Sequence, residues 1–393
     1  MNPADVPGRR PHGSVVRIFA SCGLALLWMI AVLRSEFPHR FVWISAIAAS
    51  TCALGTRRTA GPGLRRVAIA GLSLAVTFGL LELGFETLER LGPERVEVAG
   101  TWVTVGDRVR DATLGYVPRP GTYSARATSG ERLLYDVTYT ISNAGVRVTT
   151  GAPNGDTWLF MGCSYVFGEG VSDDDTLPSC FSAQLAHAAN VVNLGFHGYG
   201  PHQVLRALET GLAAPFVTGR VRQIVYVGMS DHPRRAAGGD AWDLEGPRYT
   251  LRGDTVALDG PFYGGVIRSL LSVASKSALL RFALDRTLYR ADAGDDDVER
   301  YVRILEQAAR VARARFDTDF TIVYWDDEDA TSRRVEARLR RSALPILWVS
   351  EVIPRREWPD ILIPIDRHPN VEANRRLAAA LAKRLSGTVP ARR

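Results

Sequence analysis

Lysine is nearly missing from this chain: of its 48 Lys and Arg residues only Lys276 and Lys383 are lysine. Beside abundant Ala and Gly, that bias reads as GC-rich coding and carries no chemistry. Cysteine is scarce too. With four in 393 residues there is no disulfide scaffold. Cys22 and Cys52 lie in apolar runs, and only Cys163 and Cys180 remain elsewhere. A bridge between those two is permitted outside the cytoplasm, but Cys163 ends a strand and a small buried thiol is expected. The histidines His187, His197, His202 and His232 lack metal spacing, so neither a metal nor another cofactor is assigned. No apolar run reaches the roughly 20 residues of a comfortable single membrane crossing. The 46% apolar content nonetheless fills a full-sized core and excludes a disordered or fibrous chain.

The net charge of +6 is not a nucleic-acid signal. Residues 1–81 hold nine Arg against Asp5 and Glu36, which is +7 and leaves about −1 for the rest. That basic segment carries three uncharged apolar runs, Ile18–Leu33, Phe41–Leu54 and Val67–Leu81, the last continuing to Phe85. Arg lies between the runs rather than along a helical face. The pattern predicts a membrane segment over 1–90 with three transmembrane helices at about 18–33, 41–54 and 67–85. Arg9, Arg10 and Arg17, and Arg57, Arg58, Arg65 and Arg66, place the N-terminus and second loop in the cytoplasm. Three crossings then put the large domain outside the cytoplasmic membrane.

Residues 91–155 read as a β-rich extension, with strands at Thr101–Val105, Tyr123–Ala127, Tyr135–Ser142 and Val146–Thr149 between Gly, Pro and Asn turns. From Asp156 buried strands alternate with helices. Trp158–Met161, Val191–Leu194, Ile224–Val227, Phe320–Trp325 and Ile346–Val349 have the composition of strands covered on both faces. Phe181–Ala189, Gln203–Thr210, Asp295–Arg315, Ser332–Arg341 and Val371–Leu385 read as helices. Five alternations over 156–393 predict an α/β fold, a doubly wound five-stranded parallel sheet flanked by helices, with ligands at the strands' carboxyl ends. An insertion at about 240–290 holds a hairpin over Pro247–Gly260 and a helix across about Val266–Leu288.

Chemistry is therefore sought just after each strand. The first ends Gly162-Cys163-Ser164, which delivers a serine to the crevice. The second ends Asn193-Leu194-Gly195-Phe196-His197-Gly198, where glycine N–H groups can face a developing oxyanion. The third ends Gly228-Met229-Ser230-Asp231. Past the fifth strand, Asp366-Arg367-His368-Pro369-Asn370 opens a helix and supplies an imidazole. The acidic run Asp326–Asp329 reads as a helix start, and Arg234 and Arg235 as surface.

In order and spacing these four sites resemble the SGNH (GDSL-like) hydrolase family over roughly Asp156–Leu385. The resemblance implies a flavodoxin-like sheet, with Ser164 as nucleophile, His368 as general base and Asp366 orienting it. It implies an oxyanion hole from the N–H groups of Ser164 and Gly195, with Ser230 at the third motif's position. Cys163 stands where the family has Asp, Ser230 where it has Asn, and one residue rather than two separates Asp366 from His368. The function expected is a membrane-anchored serine esterase acting on an ester or O-acyl group, with a cell-surface polysaccharide or a lipid as the substrate's carrier. O-acyl transfer on the same scaffold, or a silent SGNH-fold glycan- or lipid-binding protein, are the alternatives. The bilayer is the expected partner, and nucleic acid is not.

Overall fold

The computed structural model describes residues 24–30, 32, 39–58, 62–92, 95–289 and 292–386. The chain divides into two units, Met1–Pro93 with Ser272–Leu284, and Glu94–Leu271 with Asp285–Arg393.

In the first unit, helix α1 (Arg40–Arg58) packs on α2 (Pro62–Arg90). Small residues bring them close: a Cβ on Gly79 would lie 3.0 Å from Ser45 Cβ. Among the described residues one helix, Arg65–Arg90, is long and apolar enough to cross a membrane, and most of it is exposed. Arg40–Ala53 is a shorter apolar helix. Of the run Ile18–Leu33, only Leu24–Ile30 and Val32 are described, and they are helical. Three crossings, and the outward placement derived from them, therefore find no support in helix length. Glu82 sits fully buried in the apolar stretch of α2. It accepts hydrogen bonds from Ser277 Oγ (2.7 Å) and from the N–H groups of Ala278 (2.7 Å) and Leu279 (3.1 Å). A carboxylate inside an apolar run is thus the cap of another helix's amino end.

The second unit opens with β1 (Glu97–Ala99), β2 (Arg108–Asp111), β3 (Gly115–Pro118), β4 (Gly121–Ser129) and β5 (Arg132–Ile141). β2 pairs with β3, and β1-β4-β5 form an antiparallel sheet. Thr101–Thr104, expected as a strand, is one turn of helix that buries Trp102 against Tyr123, Tyr139 and Phe167. Of Val146–Thr149 only Arg147 pairs, and it does so on both sides, with Ile141 and with Asn193. The extension thereby lies along an edge of the main sheet.

That main sheet comprises β6 (Thr157–Gly162), β7 (Asn190–Gly195), β8 (Val221–Gly228), β11 (Phe320–Tyr324) and β12 (Ile346–Trp348). Its order is β12-β11-β8-β6-β7, all parallel. Counted within the sheet this is 2-1-3-4-5, with the reversal between β6 and β8, so residues leaving β6 enter the switch-point crevice. Between the strands run α3 (Ser164–Phe167), α4 (Leu177–Gln184), α5 (Pro201–Thr210), α6 (His232–Ala236), the hairpin β9 (Pro247–Arg252) and β10 (Thr255–Pro261), α7 (Gly265–Ala274), α8 (Ala278–Thr287), α9 (Asp295–Phe316), α10 (Ala330–Leu339) and α11 (Val371–Ser386). α4 starts four residues earlier than the apolar pattern suggests, because Thr176 caps it through Ser179 N–H and Pro178 suits its first turn. The single helix expected across Val266–Leu288 is two, broken where Ser277 turns its hydroxyl toward Glu82. Cys163 and Cys180 are separate buried thiols.

Candidate active site

Gly162 ends β6 at φ +148, where a Cβ would lie 2.9 Å from Val227 O and 3.0 Å from Val166 Cγ2. Only glycine lets the chain leave between β6 and β8 and turn at once into α3. Gly162→Ala is expected to cost about 1–3 kcal/mol through backbone strain. Equilibrium unfolding of the two proteins checks this.

The turn sets Ser164, 6% exposed, at the crevice. Its Oγ lies 2.8 Å from His368 Nε2, and His368 Nδ1 lies 2.8 Å from Asp366 Oδ2. The short Asp366-Arg367-His368 spacing works because this segment is a turn and not an extended strand. Ile365 (φ 68) and Arg367 (φ 63) are left-handed, Arg367 N–H donates to Ile363 O at 2.7 Å, and Ile363 N–H donates to His368 O at 2.8 Å. The carboxylate is thus carried back to its own neighbour's ring. Tyr165, beside the serine, donates to Arg367 O at 2.9 Å and sets its ring edge-on to His368 at 5.3 Å.

Asn193 and Arg147 fix the other side. Asn193 Nδ2 donates to Val166 O at 2.9 Å, while its Oδ1 accepts the Gly195 N–H at 3.0 Å. The Gly195 N–H is therefore already committed within the loop, unlike the open donor expected. Three residues on, Gly198 is left-handed (φ 73), and its N–H meets no acceptor among the described residues. The Ser164 N–H, first in α3, likewise meets none. Ser230 lies partly buried just past β8, and the Cys163 Sγ to Met229 Sδ contact of 3.8 Å holds that strand end against the nucleophile turn. Asp231, half exposed, lies 3.9 Å from Arg234 and 3.7 Å from Arg235.

Arg147 is 1% exposed. Its guanidinium donates to the carbonyls of Phe167 (2.8 Å), Gly168 (2.6 Å) and Val171 (2.7 Å) and to Asp173 Oδ1 (3.0 Å). It also lies over the Tyr139 and Phe167 rings, 4.5 Å from each centroid. One side chain from the extension thus closes the carboxyl end of the turn that carries Ser164. Sequence reasoning passed over it, since nothing local marks an Arg among polar residues as buried.

Glu169 was also missed. Its Oε2 lies 2.7 Å from His197 Nδ1 and 3.2 Å from His368 Nε2. Burial works to raise its carboxyl, but His197 and then His368 outweigh that and bring it to about 2. Burial similarly works to lower His368, while Glu169 and then Asp366 raise it above the ordinary imidazole value. Glu169, Asp366 and His368 offer three donor atoms within 4.8 Å of one another.

The remaining candidates are structural. Asp329 caps α10 by accepting from Ser332 N–H at 2.8 Å, and buried Asp326 holds Ser350 N–H (2.9 Å) and Arg355 (2.6 Å). His202 is buried against Asp243 at 2.7 Å. Arg235, expected at the surface, is buried and donates to Tyr199 O at 3.0 Å.

No family model matches the chain, and no curated protein matches it. Among solved structures it is similar to a protein assigned to the G-D-S-L family of lipolytic proteins from Desulfitobacterium hafniense DCB-2, at 9% identity and a TM-score of 0.36, over 59% of this chain and 99% of that one. A carbohydrate acetylesterase family member from Sinorhizobium meliloti matches at 15% and 0.31, over 59% and 99%. The acetyl xylan esterase Est2A from the rumen bacterium Butyrivibrio proteoclasticus matches at 10% and 0.32, over 61% and 66%. The weight rests instead on this chain's own topology. A 2-1-3-4-5 parallel sheet, with a serine leaving its first strand and a histidine returning to it ahead of the last helix, is a doubly wound fold of flavodoxin-like order whose switch point carries a serine–histidine pair.

Proposed function

We propose that this chain is a serine ester hydrolase in which Ser164 is the nucleophile, His368 the general base and Asp366 the group that orients the imidazole. The observation that carries the reading is the unbroken line Ser164 Oγ, His368 Nε2, His368 Nδ1, Asp366 Oδ2, with 2.8 Å at each hydrogen bond. Ser164 Oγ attacks the ester carbonyl and passes its proton to Nε2. The leaving alcohol takes that proton, and water or another hydroxyl then releases the acyl group. A silent binding protein has no need of such a line.

The oxyanion would be met by the Ser164 N–H, with the Gly198 N–H in the place read for Gly195 and the Ser230 hydroxyl as a third donor. The finer parts of the proposal are tethering to a bilayer through Arg65–Arg90 and an O-acyl group on a glycan as substrate. The exposed apolar length of that helix supports the first. The second draws on a cleft of about 460 Å³ that Arg367 of the histidine turn shares with Asp327, Glu328 and Arg355 on one side and Trp358 and Leu362 on the other, charged groups beside an apolar wall as a sugar ring would need. Hydrolysis and acyl transfer share every step up to the acceptor.

The test is labelling of the purified chain with a fluorophosphonate. Covalent labelling of wild type that is lost in Ser164→Ala is expected. Folded wild-type protein that takes no label would end the esterase reading.

A further inference from the structure

Glu169 stands five residues after the nucleophile on a segment held from every side. Gly168 closes α3 in the left-handed region, Gly170 N–H donates to Tyr139 Oη at 2.8 Å, and Arg147 grips the carbonyls on either side. A Cβ on Gly170 would lie 2.3 Å from Ile363 Cδ1, so this backbone is pressed against the segment leading into the histidine turn. The carboxylate has little freedom to swing away, and His197 fixes its direction at 2.7 Å. His197 itself is packed on Phe167, with ring centroids 4.4 Å apart.

The consequence lies at one atom. His368 Nε2 is 2.8 Å from Ser164 Oγ and 3.2 Å from Glu169 Oε2. A base ready to deprotonate serine presents a lone pair at Nε2. A carboxylate oxygen 3.2 Å from that nitrogen, though out of line for a hydrogen bond with it, disfavours the neutral ring and favours the positive charge of a protonated one. We propose that Glu169 is a proton gate on the catalytic base: its fixed negative charge beside Nε2 of His368 holds that nitrogen protonated in the free enzyme. Glu169 is a positioning residue, since it acts through His368 and not on the reacting atoms.

The step balances simply. With the gate closed, His368 is an imidazolium whose Nδ1–H bonds Asp366 and whose Nε2–H bonds Ser164 Oγ beside the Glu169 charge. The Nε2 proton must leave to solvent before the lone pair it uncovers can accept the serine proton and Oγ can attack. Raising the pH opens the gate. The other charged and titratable groups around it are few in kind. Asp366 also favours the imidazolium, whereas Arg235 on α6 opposes it. Tyr165 from α3 faces the ring, and burial pushes its hydroxyl far up, so it stays neutral. Around Glu169, His197 and Arg108 favour the carboxylate. Tyr135 and Tyr139 are neutral for the same reason as Tyr165, and Arg147 remains paired with Asp173.

The sign follows. A folded imidazole held above its ordinary value stays protonated to higher pH, so the acid limb of kcat/KM moves up with it. Glu169→Gln keeps the shape and removes the charge. The limb is then expected to fall by one pH unit or more, so that kcat/KM at a pH well below the wild-type limb rises about tenfold. The position of the limb is what is read, not the height of the plateau.

A second arm uses the full chain with histidine-selective ¹³C labelling and follows the His368 ring by NMR in Ser164→Ala, where no turnover occurs. His368 is expected to titrate above about 6.5, and to move down when Glu169→Gln is added. An unmoved limb in folded Glu169→Gln, or a His368 titrating below about 6.5 with Glu169 present, overturns the gate. The proposal borrows the catalytic roles of Ser164 and His368 only for its kinetic arm. An inactive wild type with a raised His368 titration sinks the esterase reading and leaves the gate standing.

Discussion

Ser164→Ala and His368→Ala are each expected to lower kcat on a short acyl ester by about 10⁴–10⁶-fold, and the double variant scarcely further. The two side chains share one proton and one bond-making event. Once Oγ is gone the base has nothing to activate, and once the imidazole is gone the serine hydroxyl is a poor nucleophile at neutral pH. What survives in any of the three is catalysis by the oxyanion donors and by binding, which on comparable serine enzymes still leaves about 10³–10⁴ over water. Steady-state kinetics on purified single and double variants decide it. Losses that multiply would mean that Ser164 and His368 act separately, contrary to the 2.8 Å contact between them.

Arg147→Leu is expected to destabilise the fold by about 3–5 kcal/mol, the range for removing one partner from a buried charged network. The substitution keeps the packing volume near Tyr139 and Phe167. It leaves the carbonyls of Phe167, Gly168 and Val171 without their buried donor and Asp173 without its cation. Burial lowers the guanidinium's own value, a sign of how much desolvation that network offsets. Denaturant unfolding of wild type and Arg147→Leu measures the difference. Because the same carbonyls end the helical turn begun by Ser164, kcat should fall together with stability. A variant as stable as wild type would show that the extension merely rests on the sheet edge.

The parallel sheet could be read from sequence because its strands are short, branched and buried on both faces, with a repeat that few other folds share. Ser164 stood out because a strand end in such a sheet is a fixed place, and His368 because it opens the last helix beyond the fifth strand. Where the reading failed, the deciding contact was distant in the chain. Thr101–Val105 alternates like a strand, but Trp102 is drawn into an aromatic cluster with Tyr139 and Phe167 that only one turn of helix can serve. Gly195 looked open because nothing in the local sequence shows that Asn193, two residues earlier, folds back to take its N–H. The Asp366–His368 spacing resolves only once Arg367 is known to be left-handed, a conformation that arginine seldom adopts. Glu169 had one visible sign, a carboxylate between two glycines just after the nucleophile turn. Its meaning depends on His197 and His368, 28 and 199 residues further on.

Acid-quenched mass spectrometry after brief reaction with an activated acetyl ester tests the central claim most directly, because it locates the bond the mechanism requires. The account predicts an acetyl group on the peptide carrying Ser164, absent in Ser164→Ala and slow to form in His368→Ala. Turnover of the ester with the acetyl group on another residue, or undiminished turnover in Ser164→Ala, would contradict it.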